Sequence, residues 1–491
     1  MRKFFVWIDP KYLAILLAVV AIFIYDSQQA QAPERLLKKV ASSKDASLVV
    51  AHLADPDVRI ADAAKENISR NPNAFLDALI SALMNDDKNI KAAALKSIID
   101  YGLKVDEDIV RPLLDSESPP LRVQALRYLA QSGEKIELEK VEKIFTGAME
   151  STDKVAVIQA AEKVLSGDDA AVFLITALAD PDKDVKLAVF DTARKTQGDT
   201  GVMVLIECLY YDDITAPLAE IELKRRGREA SELLINALED NRNAVRARAA
   251  GLLGDIGDKR ALQSLIDLFT NTSYDVRKAA GRSAGKLADE AHLQGFLGGI
   301  QTAFPDSIIS VAEIYALGSA QWLPSAQRVM QIALDPGFQK ILRYSAFDAL
   351  GEMGYTPAES FLLARASDEM EEEDIRREAI EALGWFTSDE SLDFLGEMLR
   401  YPANFDFKIA AAHALGIMKR KEALETLMSA VETEKTGIVI TELVHAMAAH
   451  GDPAAIPAIK AACAKFVREI DCDVALRQIE FLSGETEVTM H

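Results

Sequence analysis

The sequence predicts an all-α protein: an α-solenoid of about 12–13 helical hairpins, preceded by one N-terminal transmembrane helix. Beyond residue 40, a two-helix pattern returns about every thirty residues. Alanine is plentiful and aromatic residues make up only 7% of the chain, which favours closely packed helices over sheets. An uncharged apolar run near the N-terminus predicts the membrane helix.

The period is visible in the apolar residue that closes the first helix of each unit. Its spacing is 29 to 34 residues, apart from one interval of 65 that must hold two units. The residues at this position are Leu53, Leu83, Leu114, Phe145, Leu178, Leu209, Leu238, Leu268, Ile300, Leu334, Leu399 and Val431. A hairpin of this size cannot bury its apolar stripe alone, so the units must stack.

The second helix of each unit has recognisable start and stop residues. It begins with Asp or Asn, then an aliphatic or aromatic residue, then a base, because Asp and Asn accept hydrogen bonds from the first N–H groups of a helix. These starts are Asp57-Val58-Arg59, Asn89-Ile90-Lys91, Asp184-Val185-Lys186, Asp275-Val276-Arg277, Asp374-Ile375-Arg376 and Asp406-Phe407-Lys408. Glycine should end the helix in a left-handed conformation at Gly133, Gly257, Gly354 and Gly451.

The pattern "DxxVRxxAAxALGxIGDxxAxxxL" resembles the HEAT repeat, in the variant shared with phycobilin-lyase-like proteins. The resemblance covers nearly all of residues 45–465, is strongest at 237–290 and 340–430, and is weak at 210–235. It implies a solenoid fold and leaves the function open. Relatives of this shape include scaffolds, adaptors, transport receptors, chromophore lyases and a di-iron hydroxylase.

Charge is distributed unevenly along the chain. The formal net charge is −22, although residues 1–40 hold six Lys or Arg against three acidic residues. So acidic a body repels phosphate backbones, and we expect no nucleic-acid partner. Solubility is the simplest explanation of this charge, and attraction of a basic partner is the functional one.

Residues 12–25 form the uncharged apolar run, which follows Arg2 and Lys3. Pro33 after Ala30-Gln31-Ala32 should block signal peptidase, so we favour an uncleaved signal-anchor over a removed signal peptide. Either interpretation predicts a single-pass or exported protein with its repeat body in the periplasm. The predicted segments are a tail (1–11), the anchor (12–25), a linker and first helix (26–44), the solenoid (45–465) and a C-terminal cap and tail (466–491).

The three cysteines are too few for a disulfide framework. We favour small core residues at all three positions. Pairing of Cys463 with Cys472 in an oxidising compartment stays open.

Motifs for chemistry are weak in this sequence. Residues 281–285 spell G-x-S-x-G, the nucleophile elbow of hydrolases, but they lie inside a predicted helix and no strand precedes them. The HEAT-repeat hydroxylase holds iron with His-Glu dipeptides, and no histidine here is followed by glutamate. The acidic run 371–374 is best explained as a solvated loop that caps a helix. We therefore expect no catalysis, no cofactor and no metal.

One set of side chains remains as a candidate binding surface. The position three residues before the "ALG" glycine of the second helix varies between units, and we call its occupants the rung residues. They are Arg127, Gly251, Arg282, Tyr315, Asp348, Glu381, His413 and His445. They should line one surface, the concave one if the resemblance holds.

The position after the same glycine should face solvent. It holds Asp255 and Glu352 in some units but Trp385 and Ile417 in two adjacent ones, which suggests an apolar contact patch. Trp385 folding over its own repeat is an equal alternative. The residues predicted to bind a partner are Tyr315, Asp348, Glu381, Trp385, His413, Ile417 and His445.

The function predicted from the sequence is that of a membrane-tethered, non-enzymatic scaffold that binds a protein or peptide. Two alternatives stay open: a lyase-type enzyme or chromophore-handling protein, and a structural spacer in an envelope assembly.

Overall fold

The computed structural model describes residues 33–211, 214–302, 307–400, 404–465 and 472–483. These residues are helical with short turns and contain no strand, which confirms the all-α prediction. The chain divides into two compact units, one ending at Phe173 and one beginning at Leu174.

The first unit holds helices α1 to α9 and the start of α10. They are α1 (33–42), α2 (Ala46–Ala51), α3 (Val58–Arg70), α4 (Leu76–Leu83), α5 (Lys88–Asp100), α6 (Glu107–Val110), α7 (Pro119–Ser132), α8 (Leu138–Thr146), α9 (Ser151–Val164) and α10 (Gly167–Ala177).

The second unit continues from the end of α10. Its helices are α11 (Lys183–Lys195), α12 (Gly198–Cys208), α13 (Ala216–Arg226), α14 (Arg228–Ala237), α15 (Asn243–Ile256), α16 (Leu262–Asp267), α17 (Tyr274–Leu287), α18 (Glu290–Gln301), α19 (Ile309–Ser319), α20 (Ala326–Leu334), α21 (Lys340–Glu352), α22 (Thr356–Ser367), α23 (Glu373–Ala382), α24 (Asp389–Arg400), α25 (Phe405–Ile417), α26 (Lys421–Thr433), α27 (Gly437–His450), α28 (Ile456–Lys465) and α29 (Cys472–Ser483). Short 3-10 helices lie at Pro72–Phe75, Arg111–Asp115, Lys259–Ala261, Leu268–Thr270, Leu323–Ser325, Leu383–Trp385 and Pro453–Ala455.

The helices pair in sequence, α2 with α3 and so on to α26 with α27, which makes thirteen hairpins in the described chain, and α28 and α29 form a further pair that packs on the last of them. In the second unit, each second helix from α15 to α27 packs on the second helix of the next hairpin. The repeat count therefore agrees with the sequence prediction.

The starts of the second helices differ from the prediction in detail. Asp57 is the N-cap of α3 as expected, and its side chain accepts a hydrogen bond from the amide of Arg59. At the other five helices, α5, α11, α17, α23 and α25, the N-cap lies two residues earlier than predicted, at Asp87, Asp182, Ser273, Glu372 and Asn404. The predicted capping residues there lie inside the first turn: Asn89, Asp184, Asp275, Asp374 and Asp406. A carboxylate in the first turn is still favourable because it faces the positive end of the helix dipole.

The glycine stops are confirmed. Gly133, Gly257 and Gly451 are left-handed C-caps with φ of 84°, 78° and 71°. Gly354 has φ of 62° just beyond the end of α21. Residues with a β-carbon adopt this conformation at a cost of about 1–2 kcal/mol.

A row of glycines lets the second helices of the second unit approach closely. A β-carbon on Gly285 would lie 2.1 Å from the carbonyl oxygen of Ala316, and one on Gly318 would lie 2.7 Å from the Cα of Ala349. Both separations are too short for a real β-carbon, so only glycine fits. The glycines at this position are Gly254, Gly285, Gly318, Gly351, Gly384 and Gly416.

Helix α29 joins the two ends of the second unit. It packs against α27 on one side and against α13, near the beginning of the unit, on the other. Arg477 of α29 binds Asp191 of α11 at 3.0 Å, and Leu482 lies against Gly451. The described part of the predicted cap, residues 472–483, therefore contacts the first hairpins of its unit as well as the last.

The cysteines fall into two groups. Cys208 is fully buried and free, and burial raises the pKa of its thiol to about 12. Cys463 is disulfide-bonded, which is the alternative that the sequence left open for this residue.

No helix in the described part of the chain combines the length and the apolar character needed to cross a bilayer. On this finding the prediction of a single-pass membrane protein with a periplasmic repeat body is wrong. The predicted anchor, residues 12–25, and the tail, residues 1–11, lie outside the described residues.

Two glycine-to-alanine substitutions test the packing of the second helices. Gly285→Ala should lower the melting temperature, since its methyl group meets the backbone of α19, and overpacking costs about 1–3 kcal/mol. Gly251→Ala is the matched control on α15, because a β-carbon there meets no atom within 4 Å. It should stabilise the protein by up to about 1 kcal/mol through helix propensity. Equal melting temperatures for the two variants would contradict the close approach.

Candidate protein-interaction surface

The second helices of the second unit bring the rung residues into one continuous row. The Arg282 guanidinium lies 4.9 Å from the Tyr315 ring centroid, and Tyr315 donates a hydrogen bond of 3.0 Å to Asp348. Further along, the negative charge of Glu381 contributes to the raised pKa of His413. Glu442 lies between His413 and His445. Arg127 is not part of this row: it lies in the first unit, where it donates a hydrogen bond to Gln124.

Arg282 is the centre of a cluster that spans four hairpins. Its Nε donates to Glu352 at 2.5 Å, and its Nη2 lies 3.4 Å from Asp348. Its guanidinium carbon lies 5.6 Å from the Trp385 ring centroid. Lys278 adds a second cation, 2.9 Å from Asp348. We call these residues the Arg282 cluster: Lys278, Arg282, Tyr315, Asp348, Glu352 and Trp385.

Burial and charge oppose each other at the two carboxylates of this cluster. Burial alone would raise the pKa of Asp348, but Lys278 and Arg282 outweigh it and hold that pKa below its ordinary value. Burial raises the pKa of Glu352 to about 7, since Arg282 offsets only part of the desolvation. Glu352 was predicted to face solvent, and the structure buries it instead because Arg282 reaches across two hairpins to bind it.

Three of the predicted partner-binding residues lie inside this cluster, and two of them, Tyr315 and Asp348, are buried. Tyr315 is fully buried, and Asp348 is only 7% exposed. A partner can reach neither side chain without opening the contacts with Arg282 and Lys278. The partner-binding role of these residues stays a prediction, and in this structure they act as packing residues.

Trp385 and Ile417 occupy different environments. Trp385 is half-buried, stacks on Arg282 and lies against Gly351, so it covers an earlier hairpin rather than its own. Ile417 is 37% exposed on the next hairpin. The predicted pair therefore contributes one exposed apolar side chain.

The exposed part of the row is acidic. Burial, then repulsion by Glu381, raises the pKa of Glu378 to about 7, and burial raises the pKa of Glu381 as well. His413 and Glu442 form a hydrogen bond of 2.9 Å, which raises the pKa of the imidazole and lowers that of the carboxyl to about 2. His445 lies 3.7 Å from the same carboxylate and is exposed.

A cavity of about 510 Å³, which sequence reasoning missed, opens on the same face. It lies over Gly251, where other hairpins carry a side chain at the rung position. At the rim of the cavity, Asp255 binds Lys224 at 2.9 Å and Lys286 at 2.6 Å. Leu482 of α29 also lines the cavity. The sequence signal for this cavity is Gly251, because a glycine at the rung position leaves space that a side chain would otherwise fill.

The G-x-S-x-G match has a structural explanation. Ser283 is buried inside α17 and lies against Gly254 of the preceding second helix. Gly281 and Gly285 are both in contact with the backbone of α19. Within the described ranges, no group of three or more His, Cys, Asp or Glu side chains is placed to hold a metal ion.

The fold and this surface define a helical-repeat protein. The family model of HEAT repeats matches residues 228–317 and 327–416, so these stretches are of the HEAT-repeat type. The chain is similar to deoxyhypusine hydroxylase from Bos taurus, with 27% identity over 277 residues. The match covers 53% of this chain and 84% of the hydroxylase.

Three solved structures are similar in fold. Human deoxyhypusine hydroxylase in complex with glycerol has 17% identity and a TM-score of 0.26, over 64% of this chain and 97% of that chain. The CpcE–CpcF complex of phycocyanin lyase from Nostoc sp. PCC7120 has 18% identity and a TM-score of 0.31, over 56% of this chain and 93% of that chain. The karyopherin Kap121p bound to the SUMO protease Ulp1p has 11% identity and a TM-score of 0.41, over 93% of this chain and 58% of that chain. At such scores none of them carries a functional conclusion.

The pair of His413 and Glu442 predicts a pH dependence. The pKa of folded His413 lies above its ordinary ~6.5, so protonation stabilises the fold. That stabilisation is complete below the unfolded-state pKa and is lost as the pH rises through the folded-state pKa. Glu442→Gln should lower the pKa of His413 measured by NMR titration of the imidazole. Glu425→Gln, on α26, is the control and should leave it unchanged. If the pKa of His413 is the same in Glu442→Gln as in the unmodified chain, the pairing is contradicted.

Proposed function

We propose that this chain is a non-enzymatic HEAT-repeat protein that binds a basic segment of a protein partner. The binding surface is the exposed part of the row on α23, α25 and α27, which we call the acidic face. Its residues are Glu378, Glu381, His413, Ile417, Glu442 and His445.

The crowding of half-buried carboxylates on α23 carries the proposal. Glu378 and Glu381 lie one turn apart, and burial with mutual repulsion raises the pKa of Glu378 to about 7. Arg377 is within 2.8 Å of Glu378, and its guanidinium does not lower that pKa to the ordinary value. A Lys or Arg side chain from a partner would favour the ionised forms of both carboxylates, so binding and ionisation would reinforce each other.

Apolar contact on this face comes from Ile417. Interfaces draw most of their energy from a few apolar or aromatic anchors surrounded by polar side chains. Ile417 has that setting, since His413 lies one turn before it on α25. Trp385 supports the face from beneath, because its ring is held by Arg282.

Enzymatic activity is the second candidate, and the 27% identity with deoxyhypusine hydroxylase is the observation that favours it. Against it, the His-Glu dipeptides that the resemblance requires are missing at every histidine. Metal analysis of the purified chain separates the candidates. Iron bound in stoichiometric amounts would favour the enzyme.

The direct test is binding of a fluorescein-labelled peptide of alternating Lys and Arg, followed by fluorescence anisotropy at pH 7.5. We expect binding that weakens as salt rises, since exposed charges are screened. Glu378→Gln with Glu381→Gln should weaken it at least about ten-fold, the equivalent of ~1.4 kcal/mol.

The matched control is Glu425→Gln with Glu432→Gln, which removes the same charge from α26, a first helix. It should change binding little. Equal loss in the two double variants would mean that only net charge attracts the peptide, and the acidic face would then be the wrong site.

A further inference from the structure

Large apolar side chains are exposed in five consecutive hairpins, always where the first helix turns into the second. Ile308 and Ile309 begin α19, Leu334 ends α20, and Met370 lies in the turn before α23. Phe405 begins α25, and Ile438 is the second residue of α27. We call this set the turn edge: Ile308, Ile309, Leu334, Met370, Phe405 and Ile438.

The exposure of these side chains is too large for ordinary helix-start packing. A hydrophobic residue next to an N-cap usually packs on the first turn of its own helix. Met370 is 93% exposed, and Phe405 and Ile438 are 57% and 59% exposed. On the opposite edge of the same hairpins, the large apolar side chains that the described residues expose are Leu323, at 56%, and Ile417, at 37%. One edge is therefore selectively apolar.

Regular spacing turns these side chains into a row. Packed helices lie about 8–10 Å apart, so neighbouring hairpins present their apolar side chains at about that interval. A peptide in the polyproline II conformation has three residues per turn and rises about 3.1 Å per residue, so every third side chain lies on one face and meets the next hairpin.

The charge around the turn edge identifies the occupant. A cavity of about 630 Å³ lies between the starts of α21, α23 and α25, and its acidic lining residues are Glu372, Glu373, Asp374 and Asp406. Two cations also line the cavity: Lys340 binds Glu372 and Asp374, and Arg377 binds Glu378 outside it. Glu373 and Asp406 have no ion pair among the described residues, so acidic side chains outnumber basic ones in the lining. Phe407, which is buried, forms part of the cavity wall. Such a surface attracts cations and repels anionic lipid headgroups and nucleic acid.

We infer that the turn edge is a second docking surface, for a basic amphipathic segment of a partner protein in which apolar side chains recur every third residue. The apolar side chains contact Met370, Phe405 and Ile438, and Lys or Arg side chains between them face Glu373 and Asp406. This surface lies where the second helices begin, and it does not depend on the acidic face.

The test uses a fluorescein-labelled peptide of repeating Lys-Leu-Ser units and the full chain. Met370→Ser with Phe405→Ser should weaken its binding at least about ten-fold without changing the melting temperature, since both side chains are exposed. Met203→Ser with Leu323→Ser is the control: it removes two exposed apolar side chains elsewhere, and its binding should match the unmodified chain.

Four results would overturn the inference. The first is that the peptide does not bind the unmodified chain, and the second is that binding falls equally in the two serine variants. The third is that binding falls only in Glu378→Gln with Glu381→Gln, and the fourth is that the chain binds phosphatidylserine vesicles and loses this binding in Met370→Ser with Phe405→Ser. The third result would leave the acidic face standing, whereas loss confined to the serine variant of the turn edge supports the second surface alone.

Discussion

The contact between Arg282 and Glu352 is the interaction on which the second unit depends most. Repeat proteins are usually held by contacts between neighbouring units. Here one guanidinium binds a carboxylate two hairpins away and stacks on Trp385 three hairpins away. Removing one partner of a buried ion pair costs about 3–5 kcal/mol because the other charge stays buried. The Arg282 cluster therefore links repeats that the backbone alone would leave independent.

The Arg282 cluster determines which rung residues remain accessible to a partner. The glycine row brings the second helices close enough for the Arg282 cluster to form, and the cluster then buries Tyr315 and Asp348. Beyond Trp385, Glu381 is half-buried and His413 and His445 are exposed. The acidic face thus begins where the cluster ends.

Local pattern was sufficient to predict the hairpins, the glycine stops and the alignment of the rung residues, since each depends on a few neighbouring residues. Helix starts were displaced by two residues at α5, α11, α17, α23 and α25, because Asp and Asn occur both as N-caps and in the first turn. Contacts across 70 residues, such as that of Arg282 with Glu352, leave no periodic trace in the sequence. The same holds for the packing of α29 against α13 and for the exposure of Met370, which depend on how distant hairpins are placed.

A double-mutant cycle between Arg282 and Glu352 tests this account most directly. The free energy of unfolding would be measured for Arg282→Met, Glu352→Gln and the double variant by denaturant titration. Residues in one buried network couple by about 0.5–3 kcal/mol, and we predict a coupling above ~1 kcal/mol. Additive effects, within about 0.3–0.5 kcal/mol, would show that the two hairpins are energetically independent and would contradict the account.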